Sequence, residues 1–109
     1  SIPYSTQAQG LVDLIEDEAG VKSMYIELIN AYRAEDLPVL HKLILEEMNS
    51  PREEAFLLSD RNQSWILPLR EVMNQHQAFI AVGAGHLAGE SGVINLLRES
   101  GYRVSPVFN

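Results

Sequence analysis

The chain has 109 residues, 46% of them hydrophobic, and carries a formal charge of −7 at pH 7. This length supports one domain with a modest core, and the acidic balance argues against nonspecific binding to nucleic acids or anionic membranes, which need clustered Lys and Arg. The absence of cysteine excludes disulfides, thiolate metal sites and cysteine nucleophiles, and no run approaches the roughly 20 apolar residues of a membrane-spanning helix.

Residues 4–75 have the pattern of about four helices. Ser5 or Thr6 is placed to cap the first helix, and Gly20 interrupts the pattern before the second. The apolar positions of the first helix are Leu11, Leu14 and Ile15. Those of the second are Met24, Leu28 and Ala31.

The third and fourth helices have clearer boundaries. Asp36 is placed to cap the third helix, and this helix ends at Asn49-Ser50-Pro51. The fourth runs from near Pro51 to about Gln75, and steps of four, three, four and three define one face of it. The residues on that face are Leu58, Asn62, Trp65, Leu69 and Val72.

The last third predicts a βαβ unit over residues 78–108. Ala78–Val82 has the pattern of a buried strand, a helix opens at Glu90 or Ser91 and is capped by Gly101, and Tyr102–Val107 has the pattern of a second, parallel strand. The predicted fold class is therefore α/β. Because two parallel strands alone make a poor sheet, we expect the missing strands in another copy of the chain or in a part of the protein outside it.

His86 follows Gly83-Ala84-Gly85, directly after the first predicted strand. Three glycines around one histidine require a sharp turn or a close approach of the backbone, and a neutral imidazole is a common metal ligand and general base. The alternative is a histidine that only caps a loop. Glu90 could be a second metal ligand, or it could complement the positive end of the following helix.

Two further motifs, a glycine-rich segment and an Asp-Arg-Asn triplet, each have more than one interpretation. Gly83–Ala88 fits a loose dinucleotide fingerprint, but Gly101–Val107 contains no carboxylate to hold a ribose, which argues against nucleotide binding. In Asp60-Arg61-Asn62, Arg61 could bind a carboxylate or phosphate, and Asn62 could hydrogen-bond a buried loop. The alternative is a helix start with an exposed ion pair.

Together these motifs resemble the TraB/GumN family, also called PrgY or Tiki. The similar segments span essentially the whole chain and are most specific from Leu57 onward. They are Arg61-Asn62-x-x-Trp65, Val82-Gly83-x-Gly85-His86-Leu87-x-Gly89, and Leu96-Leu97-x-x-x-Gly101-Tyr102. The resemblance implies the C-terminal half of a family domain, whose animal members are similar to metal-dependent peptidases.

The resemblance also implies roles for particular residues. The family site uses two Gly-x-x-His motifs, and His86 matches the second, as a ligand of a divalent metal such as Mn, Co or Zn. Arg61 and Asn62 match a Glu-Arg-Asn motif and would hold the site or the substrate, whereas Asp60 stands where the family usually has glutamate. The first Gly-x-x-His does not occur in this chain.

We therefore expect the C-terminal part of a metal-dependent, peptidase-like hydrolase that is inactive as this chain alone and binds little metal by itself. The chain starts with Ser1 rather than Met, which fits a processed chain or a fragment of a larger domain. The expected partners are a peptide or protein substrate, the N-terminal half of the domain and further copies of the chain. The alternative is a noncatalytic peptide-binding or regulatory module, and the resemblance implies an exported, periplasmic or membrane-associated location.

Overall fold

The computed structural model describes residues 3–108, except for the side chain of Leu14. This part of the chain forms α-helices; residues 76–92, which contain one 3₁₀ turn, and residues 100–108 are otherwise irregular. The helices are α1 Tyr4–Glu16, α2 Glu18–Arg33, α3 Leu37–Glu46, α4 Pro51–Glu54, α5 Asp60–Gln75 and α6 Val93–Glu99. A π-helical segment, Ala55–Ser59, joins α4 to α5, and a 3₁₀ turn, Ala84–His86, precedes α6.

Side-chain caps set several of the helix boundaries. Asp36 accepts a hydrogen bond from the Val39 amide at 3.2 Å at the start of α3, as predicted. Ser50 accepts one from the Glu53 amide at 3.1 Å, which confirms a helix start at Pro51. The predictions for the first two helices are wrong. Neither Ser5 nor Thr6 caps α1, which has no side-chain cap. The break between α1 and α2 falls at Asp17 rather than at Gly20, which lies inside α2.

The π-helical segment shifts the register of the long helix immediately before the Asp60-Arg61-Asn62 motif. The Asp60 amide bonds back to the Ala55 carbonyl, and the Ser59 hydroxyl donates to the Glu54 carboxylate. Single π turns inside α-helices are frequent at functional sites. Here the turn leads into α5 with Leu58 and Asn62 both buried, which confirms the first half of the predicted stripe. At the far end of this face, Val72 is 46% exposed.

The predicted α/β class and βαβ unit are wrong. No strand occurs in residues 3–108, and residues 77–82 form no hydrogen bonds through their backbone within that part of the chain. Phe79 is 96% exposed rather than buried. The residues of this segment have high β propensity, but a strand exists only when a second strand accepts and donates its ladder bonds.

The second predicted strand, residues 102–107, is also irregular. The carbonyl of Val104, which would have joined a ladder, instead accepts hydrogen bonds from the Arg98 guanidinium at 2.7 and 3.2 Å. The helix between the two segments starts at Val93 rather than at Glu90 or Ser91. Its predicted end is confirmed, because Gly101 has φ +97° and its amide bonds to the Arg98 carbonyl.

The core is thin. The buried apolar side chains come from four different elements: Ala31, Leu40, Leu58 and Val93. The accessible surface is 8396 Å², whereas a compact chain of this mass exposes about 6,100 Å². The radius of gyration is 16.3 Å, against about 13 Å for a compact domain of this length. The helices therefore leave much apolar surface open, and no helix within residues 3–108 has the length and apolarity to cross a membrane.

Candidate functional site

His86 and Asn62 form a direct hydrogen bond, although 24 residues separate them in sequence. Nδ1 of His86, in the 3₁₀ turn, lies 2.8 Å from Oδ1 of Asn62, in the first turn of α5. Asn62 is only 2% exposed, which confirms the buried position predicted from its place on the apolar stripe. The structure thus brings together two of the residues singled out in the sequence.

The second hydrogen bond of Asn62 fixes the protonation of the imidazole. Nδ2 of Asn62 donates to the Ser91 carbonyl at 2.9 Å. Because a carbonyl can only accept, the amide nitrogen must face Ser91, and Oδ1 must face His86. Oδ1 is itself only an acceptor, so Nδ1 of His86 carries the proton. Nε2 of a neutral His86 then holds the free lone pair.

Trp65 and Arg61 shape the surroundings of the imidazole. The Trp65 and His86 rings are tilted by 49°, with centroids 4.7 Å apart. The pKa of His86 is lowered from its ordinary value of 6.5, first because burial desolvates the charged form and second because Arg61 adds a positive charge nearby. His86 is therefore held in its neutral, lone-pair-bearing form at neutral pH.

Arg61 is exposed at the surface beside this site. Its guanidinium takes part in no hydrogen bond or ion pair among the described residues. A free guanidinium can bind a carboxylate or phosphate in a bidentate manner. The exposed ion pair considered as the alternative for Asp60-Arg61-Asn62 does not form.

Glycines bring the histidine turn close to the helices. A Cβ added at Gly85 would lie 3.3 Å from Ile44 Cδ1 and 3.7 Å from Leu58 Cδ2, so the glycine lets the turn contact α3 and the π-helical segment. A Cβ at Gly92 would overlap the carbonyl oxygens of Leu87 and Ala88. The predicted close approach of the backbone is therefore real, and it positions both His86 and the Ser91 carbonyl.

Glu90 is not brought to His86 in this structure. It is exposed in the turn before α6, and its backbone carbonyl accepts a hydrogen bond from Asn95 at 2.8 Å. No hydrogen bond or ion pair joins its carboxylate to His86. The described residues also contain no group of three His, Asp or Glu side chains arranged to hold a metal.

Two parts of the site were not found from the sequence. Trp65 was placed on the correct helix face, but its ring contact with His86 depends on how the turn packs. Ser91 contributes through its carbonyl, which no residue type reveals. His41, in α3, has a buried Nδ1 without a hydrogen-bond partner among the described residues, and its ring packs where a Cβ at Gly89 would lie.

A comparison with protein-family models identifies the chain's relatives. The model of the TraB/PrgY/gumN family matches residues 1–106, which include Arg61, Asn62, Trp65 and His86. The chain belongs to this family. No curated protein and no solved structure matches the chain. Family membership agrees with the resemblance seen in the motifs, and the paired Asn62 and His86 are a structural feature of this member.

Proposed function

We propose that this chain supplies a histidine ligand, with the side chains that hold it, to a metal-dependent hydrolytic site of the peptidase type. The observation that carries the proposal is the 2.8 Å hydrogen bond between Asn62 and His86. Ligating histidines commonly donate their other ring N–H to a fixed acceptor, which sets the tautomer and the ring orientation. Family membership supports the proposal through the similarity to metal-dependent peptidases implied by the motifs.

Each side chain of the site has a separate task in this proposal. Asn62 holds the ring and keeps Nε2 free, and Trp65 shields the ring from water. Arg61 disfavours protonation of His86 and offers a binding group for a substrate carboxylate. A bound Mn, Co or Zn ion would supply the water activation that hydrolysis requires.

The remaining metal ligands must come from elsewhere. Catalytic metal sites use about three protein ligands, whereas the described residues offer His86 without two companions. We propose that the other ligands belong to the N-terminal half of a family domain or to a second copy of this chain. The open apolar surface supports such an association. That Glu90 is one of the metal ligands stays a prediction, and the association would have to move its carboxylate toward His86. An exported location stays a prediction as well.

Two measurements test the proposal. In this chain, Mn²⁺ should weakly and selectively broaden the NMR signals of His86 through Nε2, and should not broaden those of the exposed His76. In a protein that also carries the first Gly-x-x-His motif, His86→Ala should reduce metal-dependent peptide hydrolysis by about 100-fold or more, with His76→Ala as the matched control. Undiminished hydrolysis in the His86→Ala variant would rule the proposal out.

The same assay separates the catalytic proposal from the noncatalytic one. A protein that binds peptides without cleaving them, and whose binding is unchanged by a chelator, would be the peptide-binding or regulatory module. In that case His86→Ala would alter peptide binding alone.

A further inference from the structure

An open groove of about 870 Å³ lies between α1, α2, α3 and the start of the long α4–α5 helix. Asn62, Trp65 and His86 do not line it, so the groove is separate from the candidate site. Its apolar floor is made of side chains from α2, α3, the turn after α3 and the π-helical segment. They are Val21, Met24, Leu28, Ile44, Met48 and Leu57.

The walls of the groove are poorly filled by the chain itself. Every described side chain of α1 is exposed apart from the intermediate position Gly10, and Leu11, which faces the groove, is 63% exposed. Leaving apolar side chains in water is unfavourable by about 25 cal/mol per Å². Two of the floor residues are methionines, whose flexible side chains adapt to an incoming apolar surface.

The rim of the groove is acidic. Four carboxylates line it, and no Lys, Arg or His stands among the lining residues that the structure describes. The four are Asp13, Asp17, Glu47 and Glu53. Three of them accept hydrogen bonds from neutral donors, namely the Gln9 side chain and the Gly20 and Asn49 amides. Lys42 and Glu46 form an ion pair, but neither residue lines the groove.

We propose that this groove binds an amphipathic helix whose apolar face covers the floor and whose flanking residues are Lys or Arg. An apolar floor between helices accepts a partner helix through residues at positions i, i+3, i+4 and i+7. The uncompensated carboxylates select a basic partner over an acidic one. They also disfavour a second copy of this chain, which carries a charge of −7.

The length of the partner follows from the wall of the groove. α1 has 13 residues, which corresponds to about 20 Å of helix. A partner helix of three to four turns would therefore cover the groove. This inference does not rest on the hydrolytic proposal, because the two surfaces share no residue.

A peptide made only of Leu and Lys tests the inference by fluorescence anisotropy. A labelled peptide of about 14 residues, with Leu at helical spacing, should bind the chain. A second peptide of the same composition with Leu and Lys in alternation, and a third with Glu in place of Lys, should bind at least about tenfold more weakly. The alternating peptide has the same charge, so that charge attraction alone cannot explain the difference.

Paired variants locate the binding. Asp13→Asn with Glu47→Gln should weaken binding of the helical peptide by about three- to tenfold, since each exposed ion pair contributes up to a few-fold. Glu71→Gln with Glu99→Gln removes the same charge away from the groove and should leave the affinity unchanged. Both pairs keep hydrogen-bond acceptors, and circular dichroism checks that both fold.

Several outcomes would overturn the inference. Equal binding of the helical and alternating peptides, or equal weakening by both pairs of substitutions, would indicate nonspecific charge attraction. No binding of the helical peptide would remove the groove as a helix site. A dimer by light scattering that Met24→Glu dissociates would assign the groove to a second copy of the chain instead.

Discussion

The side chain of Asn62 bridges His86 and the carbonyl of Ser91, with distances of 2.8 and 2.9 Å. Asn62 is only 2% exposed, and both the oxygen and the nitrogen of its side-chain amide have a hydrogen-bond partner. A buried amide satisfied at both ends orients its neighbours rigidly, because any rotation leaves polar groups unpaired. The orientation of His86, and with it the free Nε2, therefore depends on one residue of α5.

Removal of this bridge should destabilise the chain. Asn62→Ala leaves Nδ1 of His86 and the Ser91 carbonyl without their partner, and we expect the free energy of unfolding to fall by about 1–3 kcal/mol. Asn74→Ala is the matched control, since Asn74 accepts one exposed hydrogen bond from Tyr102 and should cost under about 1 kcal/mol. Urea denaturation measures both variants. If both variants lost the same free energy of unfolding, the Asn62 bridge would contribute no more to stability than an exposed hydrogen bond.

Arg61 should control the protonation of His86. Because its positive charge lowers the pKa of His86, Arg61→Gln should raise that pKa toward 6.5, as followed by NMR titration of the imidazole. Burial is the larger cause of the lowering and remains, so the pKa should stay below 6.5. Arg70→Gln on the same helix removes an equal charge, and a comparable rise in that variant would contradict a specific role for Arg61.

The lowered pKa of His86 also predicts a pH dependence of stability. In the unfolded chain His86 titrates near 6.5, and in the folded chain it titrates lower. The unfolded state therefore binds the proton more readily, and folding stability falls as the pH drops below about 6.5 toward the folded pKa. His86→Gln should show a weaker loss between about pH 7.5 and 5.5 in urea denaturation. The unmodified chain and His86→Gln have the same carboxylates, whose protonation also affects stability at low pH. An equal loss of stability in both proteins would therefore mean that His86 does not contribute.

The turn that carries Ser91 should not tolerate a side chain at Gly92. Gly92→Ala places a Cβ against the Leu87 and Ala88 carbonyls, and we expect a loss of about 1–3 kcal/mol from overpacking. Displacement of the neighbouring Ser91 carbonyl should also change the imidazole signals of His86. Gly10→Ala is the control, because its Cβ meets open space inside α1 and should stabilise the helix by about 1 kcal/mol. Unchanged His86 signals in Gly92→Ala would show that the turn does not position the site.

The sequence predicted what depends on local pattern. The cap at Asp36, the helix start at Pro51, the glycine end of α6 and the buried face with Leu58 and Asn62 all follow from spacing and residue type. The π-helical segment did not follow, because residue types alone do not show where a single turn takes i→i+5 hydrogen bonds in place of i→i+4 bonds. The strand predictions failed at residues 78–82 and 102–107, where the outcome depends on a ladder partner rather than on the segment itself.

The candidate site shows the same division. The glycines around His86 and the position of Asn62 on an apolar stripe indicated two residues with special surroundings. The family resemblance assigned both residues to one site, but their direct hydrogen bond was not predicted, since 24 residues separate them in sequence. The unpaired guanidinium of Arg61 could not be predicted, because it depends on which carboxylates the fold leaves out of reach. Glu90 forms no hydrogen bond or ion pair with His86 in this structure, and its role as a metal ligand stays a prediction.

The ¹⁵N chemical shifts of the two His86 ring nitrogens show directly which of them carries the proton. They are measured above the pKa of the ring, in this chain and in Asn62→Leu, with the exposed His76 as the internal reference. We expect a protonated Nδ1 and a bare Nε2 in the unmodified chain, and a shift toward the Nε2–H tautomer in the variant. A proton on Nε2 in the unmodified chain would contradict this expectation, because the lone pair would then lie on Nδ1, which faces Asn62 rather than an incoming metal ion or proton.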